Sequence, residues 1–501
     1  MASDTTQVNS TQAAERGSDR RWLALTLIIA AQFMVVLDVA IVNVALPSIR
    51  TSLHFSQDNL QWVITAYSIP FGGVLLLGGR LADLLGRRRL FFIGLSLFTV
   101  SSLADGLAWS EGSLIAFRAL QGLGAALVSP AALSILTTTF AEGAERNKAL
   151  GIWGAVGGSG AAAGVLLGGG LTSGLNWSWI FFINVPVGAT VLVLTPFVLR
   201  ESRAELEDRR FDFSGAVSVT AGLVLLVYGM TRAAQHGWGT GETIGLLAGA
   251  AVLIVSFFVI EARSRAALLP LKIFRLRTLT ASNIAGLLMG AALFAQFFLL
   301  TLYLQEVLHY SAIKTGAAYI ALTAATIAFA AVAQALVTRL GVRPVMPLGL
   351  ALSTVALVLF ARLPVHGHYF SDLFPGFLIG GLGLALAFIP MSIGALTGVG
   401  PAEAGVASGL INTSQQVGGA IGVAVVTTVA TSFTNRYVHS HAGSNAFSAA
   451  ALTHGFHVAF YVLAALAGAG AVISVLMLEP RPVPQAPQLA EDALELNEAS
   501  S

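Results

Sequence analysis

Fourteen apolar segments, nearly all about 20 residues or longer, recur along this chain of 501 residues. They fall at roughly 23–46, 60–80, 90–108, 112–138, 149–172, 178–199, 213–231, 243–261, 280–305, 313–338, 344–362, 372–396, 405–431 and 456–478. A helix rises about 1.5 Å per residue, so each segment can cross the ~30 Å hydrocarbon core of a bilayer, some with tilt. A soluble domain has no way to hide so many apolar faces. Charge content agrees: 10% of residues are charged, where a soluble chain carries roughly a quarter. The 53 glycines suit the close helix contacts that packing in lipid requires. The reading is an all-α membrane protein. The first segment follows Arg20 and Arg21, as a signal peptide would. Its apolar run is too long for that and no small-residue cleavage site follows, so it reads as an uncleaved helix.

Several function classes drop out on residue type alone. There are no cysteines, which excludes disulfides, thiolate catalysis and cysteine metal sites. A P-loop needs a lysine directly after glycine, whereas Lys148, Lys272 and Lys314 follow Asn147, Leu271 and Ile313. Active transport by this chain must draw on an ion gradient or a partner chain. No catalytic constellation appears, so no enzyme activity and no cofactor are expected, and a net charge of +2 gives no footprint for nucleic acid. The nine histidines fall on loops or helix starts with no carboxylate close by, so no metal site is expected. With an even number of spans both termini share a side. Placing them inside puts 21 of the 27 lysines and arginines on the inner side and 5 outside, with Arg118 alone within a span. By the positive-inside bias both termini are cytoplasmic.

Where charge does interrupt the apolar pattern, it is concentrated. GGRLADLLGRRR (78–89) carries five charges in twelve residues between the second and third segments. Gly79 and Gly86 permit a tight turn and close helix approach. The arginines can anchor at lipid headgroups, and Asp83 can cap the third helix or pair with Arg87, Arg88 or Arg89. Anchoring explains the arginines but not the carboxylate; a latch that forms in one conformation and parts in another needs both signs. A weaker copy, ALVTRLGVRP (335–344), follows the tenth segment and places Thr338 opposite Asp83 when Gly341 is aligned with Gly86. The connectors RESRAELEDRR (200–210) and EARSRAALLPLKIFRLR (261–277) bracket an extra helix pair. The chain therefore divides into a tail at 1–22, six helices at 23–205, an inserted pair at 206–265, six helices at 266–479 and a disordered tail at 480–501.

Asp38 is the one carboxylate well inside a span. Asp105, Glu111, Glu242, Glu306 and Asp372 lie at outer ends or loops. An acid at mid-span costs about 2.5–3.5 kcal/mol on insertion scales, so Asp38 must face a cavity or a partner. Arg118 is the only other charge at that depth. Such a pair can exchange a proton with cargo, or it can be a static ion pair. Gly160, Gly164 and Gly168, with Gly169 beside them, make a flat helix stripe for close packing. Among polar residues within or bordering spans, Gln32, Asn43, Tyr67, Gln121, Asn184, Asn412 and Gln416 either line a central cavity or bond between helices. Phe294 and Phe298, with Phe297, Tyr303 and Trp62, offer an aromatic wall for flat lipophilic compounds, or core packing.

These stretches carry a resemblance. G-x-L-A-D-x-x-G-R at 79–87 resembles the signature loop of the major facilitator superfamily. LDVAIVNVALPSI (37–49), FRALQGLGAALVSPA (117–131), GSGAAAGVLLGGGL (158–171) and NWSWIFFINVPVG (176–188) are similar to motifs of its fourteen-helix drug:proton antiporter branch. INTSQQVGGAIG (411–422) adds a weaker match. Val165 stands where the branch has proline, and Ser178 where it has arginine. The resemblance implies two six-helix bundles facing a central cavity, plus the inserted pair, with helices one and four adjacent so that Asp38 meets Arg118. It implies proton-coupled export of lipophilic small molecules by alternating access, with Asp38 and Arg118 coupling protons. Gly79, Asp83, Gly86 and Arg87 would govern the switch, and the glycine stripe would act as a hinge and seal. The tenth segment has no carboxylate, so the cargo is expected to be neutral or monocationic, and the protein a plasma-membrane monomer. A dedicated carrier of one metabolite on the same fold, or a membrane sensor or scaffold, are the alternatives.

Overall fold

A computed structural model describes residues 2–55, 60, 62–141, 143–203, 212–264, 267–441, 445 and 448–479. Among them all regular structure is helical. Helix α1 (Ala2–Leu53) contains the first span, Arg20–Leu46. Next come α2 (Trp62–Leu85), α3 (Arg87–Gly106), α4 (Glu111–Thr139) and α5 (Ala144–Gly174). The sixth crossing is broken into α6 (Trp179–Phe182) and α7 (Asn184–Val198). The inserted pair is α8 (Phe213–His236) and α9 (Gly241–Arg263). The second half comprises α10 (Arg277–Leu302), the short α11 (Ala312–Ala318) leading into α12 (Ile320–Leu340), then α13 (Val342–Phe360), α14 (Phe374–Gly394), α15 (Ala404–Ser440) and α16 (Ala449–Met477). Thirteen helical stretches among the described residues are long and apolar enough to span a membrane. The continuous helix α5 supplies the fourteenth crossing. The tail at 480–501 lies outside the described residues, as does the side chain of Val165.

Local chemistry sets the helix ends. Ser110 caps α4, accepting from the Ser113 N–H at 3.2 Å, while the Ser113 hydroxyl accepts from the Ser110 N–H at 3.0 Å; this reciprocal pair satisfies two amides the helix leaves over. Asp212 accepts from the Gly215 N–H at 2.7 Å to start α8. Gly86 (φ 109°) and Gly341 (φ 82°) occupy the left-handed region at the two loops that the weak repeat aligns, a backbone that a side chain would strain. The break at Ile183 has a cause in sequence. Pro186 supplies no N–H to the Phe182 carbonyl, and its ring crowds the same group.

Packing follows two clusters of helices. In the first half α2 and α3 lie against α4, α1 against α5, and α7 against α3 and α1. In the second, α10 packs on α15 and α16, and α14 on α12 and α13. The halves meet along α2–α15 and α4–α15 on one side and along α5 with α11, α12 and α14 on the other. Helix α8 sits against both α2 and α15, and Trp238, in the turn after α8, donates from Nε1 to Thr428 Oγ1 of α15 at 2.7 Å. The inserted pair thus borders a seam between the halves.

Candidate functional site

A charge inside an apolar helix must find its partner on a neighbouring helix. Asp38 on α1 is completely buried. On α4, side chains lean towards the helix start, so the Arg118 guanidinium reaches back to the beginning of α2, where Nε donates to the Val63 carbonyl at 3.0 Å. Its Nη1 donates to Asp38 Oδ2 at 2.7 Å and also to Gln121 Oε1. Gln121, one turn along the same helix, donates from Nε2 to Asp38 Oδ1 at 2.9 Å. Asn184 at the start of α7 donates to the same oxygen at 3.1 Å and to Ser102 Oγ of α3 at 3.1 Å. The Tyr67 ring lies 4.3 Å from the guanidinium carbon, a cation–π contact that closes the cluster from α2. Three side chains therefore donate to one carboxylate. Gly122 makes the fit possible, since a Cβ there would stand 2.2 Å from the Tyr67 carbonyl. Removing one member of a buried ion pair typically costs about 3–5 kcal/mol.

Of the polar residues read from the sequence, Gln121 and Asn184 thus bond between helices to Asp38, and Tyr67 joins them through its ring against Arg118. Asn43 and Asn412 donate to carbonyls of their own helices, those of Val39 and Ser408. Gln32 and Gln416 are half-buried on α1 and α15. The aromatic set divides. Phe297 stacks on Tyr319 at 4.9 Å and the Tyr303 hydroxyl donates to the Pro364 carbonyl at 2.6 Å, so both belong to the core of the second half. Phe294 and Phe298 are each 37% exposed, and Trp62 faces Tyr228 of α8 at 5.9 Å. A cavity inside the second half, lined in part by Gln296, Ser353 and Leu384, measures about 20 Å³. That is room for a water and no more.

One acid departs from its expected setting. Asp105 lies at the end of α3, as the sequence indicates, yet it is fully buried. It is within electrostatic range of Arg118 and Asp38, and neither of its oxygens has a hydrogen-bond partner. The cover comes from the broken sixth crossing. The Phe182 ring lies so close to Gly106 that a Cβ there would come within 2.3 Å of it, and the Phe181 carbonyl accepts from Ser102 Oγ at 3.0 Å. Nothing in the local sequence of α3 reveals that lid. The neighbouring SSLAD hydroxyls are the sole hint of a polar face.

The 78–89 stretch joins the two halves. Asp83 is buried and accepts from Arg87 Nη2 at 2.9 Å. It also accepts from the backbone amides of Gly405 and Val406, each at 3.1 Å, at the start of α15, where a long helix presents unpaired N–H groups and the positive end of its dipole. Gly79 lets the backbones touch, for a Cβ there would fall 2.2 Å from the Gly405 carbonyl. Beyond Gly86, the Arg87 N–H donates to the Ser202 carbonyl at 3.0 Å, and Arg88 pairs with Glu201 at 3.7 Å. The aligned position Thr338 makes the corresponding contact without charge: it accepts from Asn147 of α5 at 3.2 Å.

The glycine stripe of α5 faces α1 around Asp38. A Cβ at Gly160 would meet Val36, one at Gly164 the Leu37 carbonyl and Ala40, and one at Gly168 Ile41. Gly169 turns instead to Ile313 of the other half. Ser178 takes part in the turn before α6, its N–H donating to Asn176 Oδ1 at 3.0 Å.

This architecture is that of a multi-pass membrane carrier built from two helical halves. Residues 28–423 match the Major Facilitator Superfamily, and the chain belongs to it; it is a transporter, not an enzyme. The puromycin resistance protein pur8 of Streptomyces alboniger is 39% identical over 485 residues, covering 95% of each chain. The cephamycin export protein CmcT of Amycolatopsis lactamdurans is 42% identical, covering 82% of this chain and 85% of its own. The crystal structure of the human organic anion transporter MFSD10 superposes with a TM-score of 0.65 over 91% of this chain and 99% of that one, at 15% identity, a likeness of fold.

Proposed function

We propose that the protein is a proton-coupled antiporter that exports lipophilic small molecules, antibiotics among them, by alternating access. The observation that carries this is the buried Asp38–Arg118 pair, 2.7 Å apart with Gln121 and Asn184 closing round it. Ionised, Asp38 is held by all three donors. Protonated, it needs fewer of them, so the guanidinium is released to move with its helix. Proton occupancy at one carboxylate is thereby tied to the geometry between α1 and α4. The latch at Asp83 would close one end of the pathway while the other opens, with rocking of the halves moving the site from face to face. Charge segregation supports an orientation with both termini in the cytoplasm, and the chain works as a plasma-membrane monomer.

The test uses everted vesicles with an imposed pH gradient and a panel of puromycin, lincomycin and ethidium. Wild type should accumulate at least one compound. Asp38→Asn should lose gradient-driven accumulation by about a hundredfold while still binding the compound. Accumulation that survives in that variant removes Asp38 from the mechanism. A second reading, export of a single antibiotic, draws on the two relatives above, each named for one compound. A response to one member of the panel alone would favour it.

A further inference from the structure

The cluster around Asp38 contains one cation and two acids. Arg118, Gln121 and Asn184 all donate to Asp38, and Asp105 receives no donor at either oxygen although it is wholly buried. The other groups facing the pair are the Tyr67 hydroxyl, the Tyr67 ring on Arg118 and the Ser102 hydroxyl. None of these carries charge. Two buried carboxyls opposite a single guanidinium are electrically balanced when they hold one proton between them.

Position gives the second acid its role. Asp105 is one residue short of the end of α3 (Arg87–Gly106), beside the connector to α4, whereas Asp38 lies eight residues before the end of its span at Leu46. Ser102, one turn along α3 from Asp105, accepts from the same Asn184 that holds Asp38. Ser102 and Asn184 thus carry polar groups from the Asp105 end of α3 to the centre of the ion-pair cluster, with Asp105 itself hydrogen-bonded to neither.

We infer that Asp105 is a second proton-carrying residue of the antiporter, standing between the face that bears the α3–α4 connector and Asp38. This rests on the proton-coupled reading above. In the step it performs, the Asp105 carboxylate takes a proton from a hydronium ion at that face as the α6 turn lifts, so that the pair holds one proton with Asp38 ionised. It then passes the proton to Asp38: the O–H bond at Asp105 breaks and one at Asp38 forms. Arg118 turns from the newly neutral Asp38 to the newly charged Asp105, so the cation faces one anion both before and after this transfer. The proton leaves Asp38 later, towards the opposite face.

The experiment compares Asp105→Asn, Asp105→Glu and Asp38→Asn in proteoliposomes, using the panel compound that wild type moves best. Two rates are measured for each: uptake driven by a pH gradient, and exchange of labelled for unlabelled compound at equal pH, which needs no net proton movement. For Asp105→Asn, driven uptake should fall by about tenfold or more, with equal-pH exchange within about twofold of wild type. Its driven rate should also lose the dependence on pH at the connector face that wild type shows. Asp105→Glu should restore driven uptake at least in part. Wild-type driven uptake in Asp105→Asn, with Asp38→Asn inactive, overturns this inference and leaves the proposed function standing. Wild-type uptake in both variants overturns the proposed function itself. If Asp105→Asn loses both rates or fails to fold, the Glu variant decides: loss of driven uptake with exchange intact counts against the relay, and recovery supports it.

Discussion

Arg118 does three things that a lysine cannot combine. It donates to Asp38, donates from Nε to the Val63 carbonyl, and sits over the Tyr67 ring. A planar, forked guanidinium can do all three at once; an ammonium is a point charge with no plane to stack. Arg118→Lys should therefore keep the cation yet lower driven transport by about tenfold or more, measured in vesicles alongside Asp38→Asn. At this scale the sequence was most legible where chemistry clashed with its surroundings. An acid and a guanidinium inside apolar runs announce themselves, and so did their pairing once the helices were taken as neighbours. Gln121 and Asn184 were visible as polar residues, but whether they faced a cavity or each other depends on helix rotation, which composition does not encode. From the sequence Asp105 is an end-of-helix residue, because its burial is imposed by Phe181 and Phe182, 76 and 77 positions further along the chain.

Among the helices, α5 shows how small residues become architecture. Its glycines lie directly against α1 at Val36, Ala40 and Ile41, and a Cβ at Gly164 would come within 2.8 Å of the Leu37 carbonyl, the residue next to Asp38. Gly164→Val adds a branched side chain where backbone already touches backbone. Overpacking of this kind costs about 1–3 kcal/mol, and the variant should show an earlier thermal unfolding midpoint in detergent together with impaired driven transport. The stripe itself was plain in the sequence. Which helix it served was not, since glycine spacing gives a flat face without naming its partner. The sixth crossing is one span, as the sequence indicates. Its hydrogen-bond ladder is interrupted near Ile183, because Pro186 supplies no N–H to the Phe182 carbonyl, while the backbone at Ile183 stays helical.

For the molecule as a whole, the absence of native cysteines makes the seams between halves open to a clean test. A Cβ built on Gly151 of α5 would sit 3.2 Å from the Gln334 Cβ of α12, close to the separation a disulfide spans. The pair Gly151→Cys with Gln334→Cys should cross-link on oxidation, arrest transport, and regain it on reduction; free turnover of the oxidised protein would show that these helices need not part. The count of crossings and the 6+2+6 grouping were legible because lipid forces a near-continuous apolar run for each pass. How the halves meet was not legible, because the contacts join residues hundreds of positions apart. The two related seams are unequal. One is fastened by Asp83 against a helix start and Arg87, the other by Thr338 and Asn147 with no net charge at the contact. Parting the first would uncover a buried ion pair, whereas the Thr338–Asn147 hydrogen bond itself involves no charge. On the proposed alternating-access reading the two seams would act as a clasp and a pivot, set apart by a carboxylate in one half and a threonine in the other.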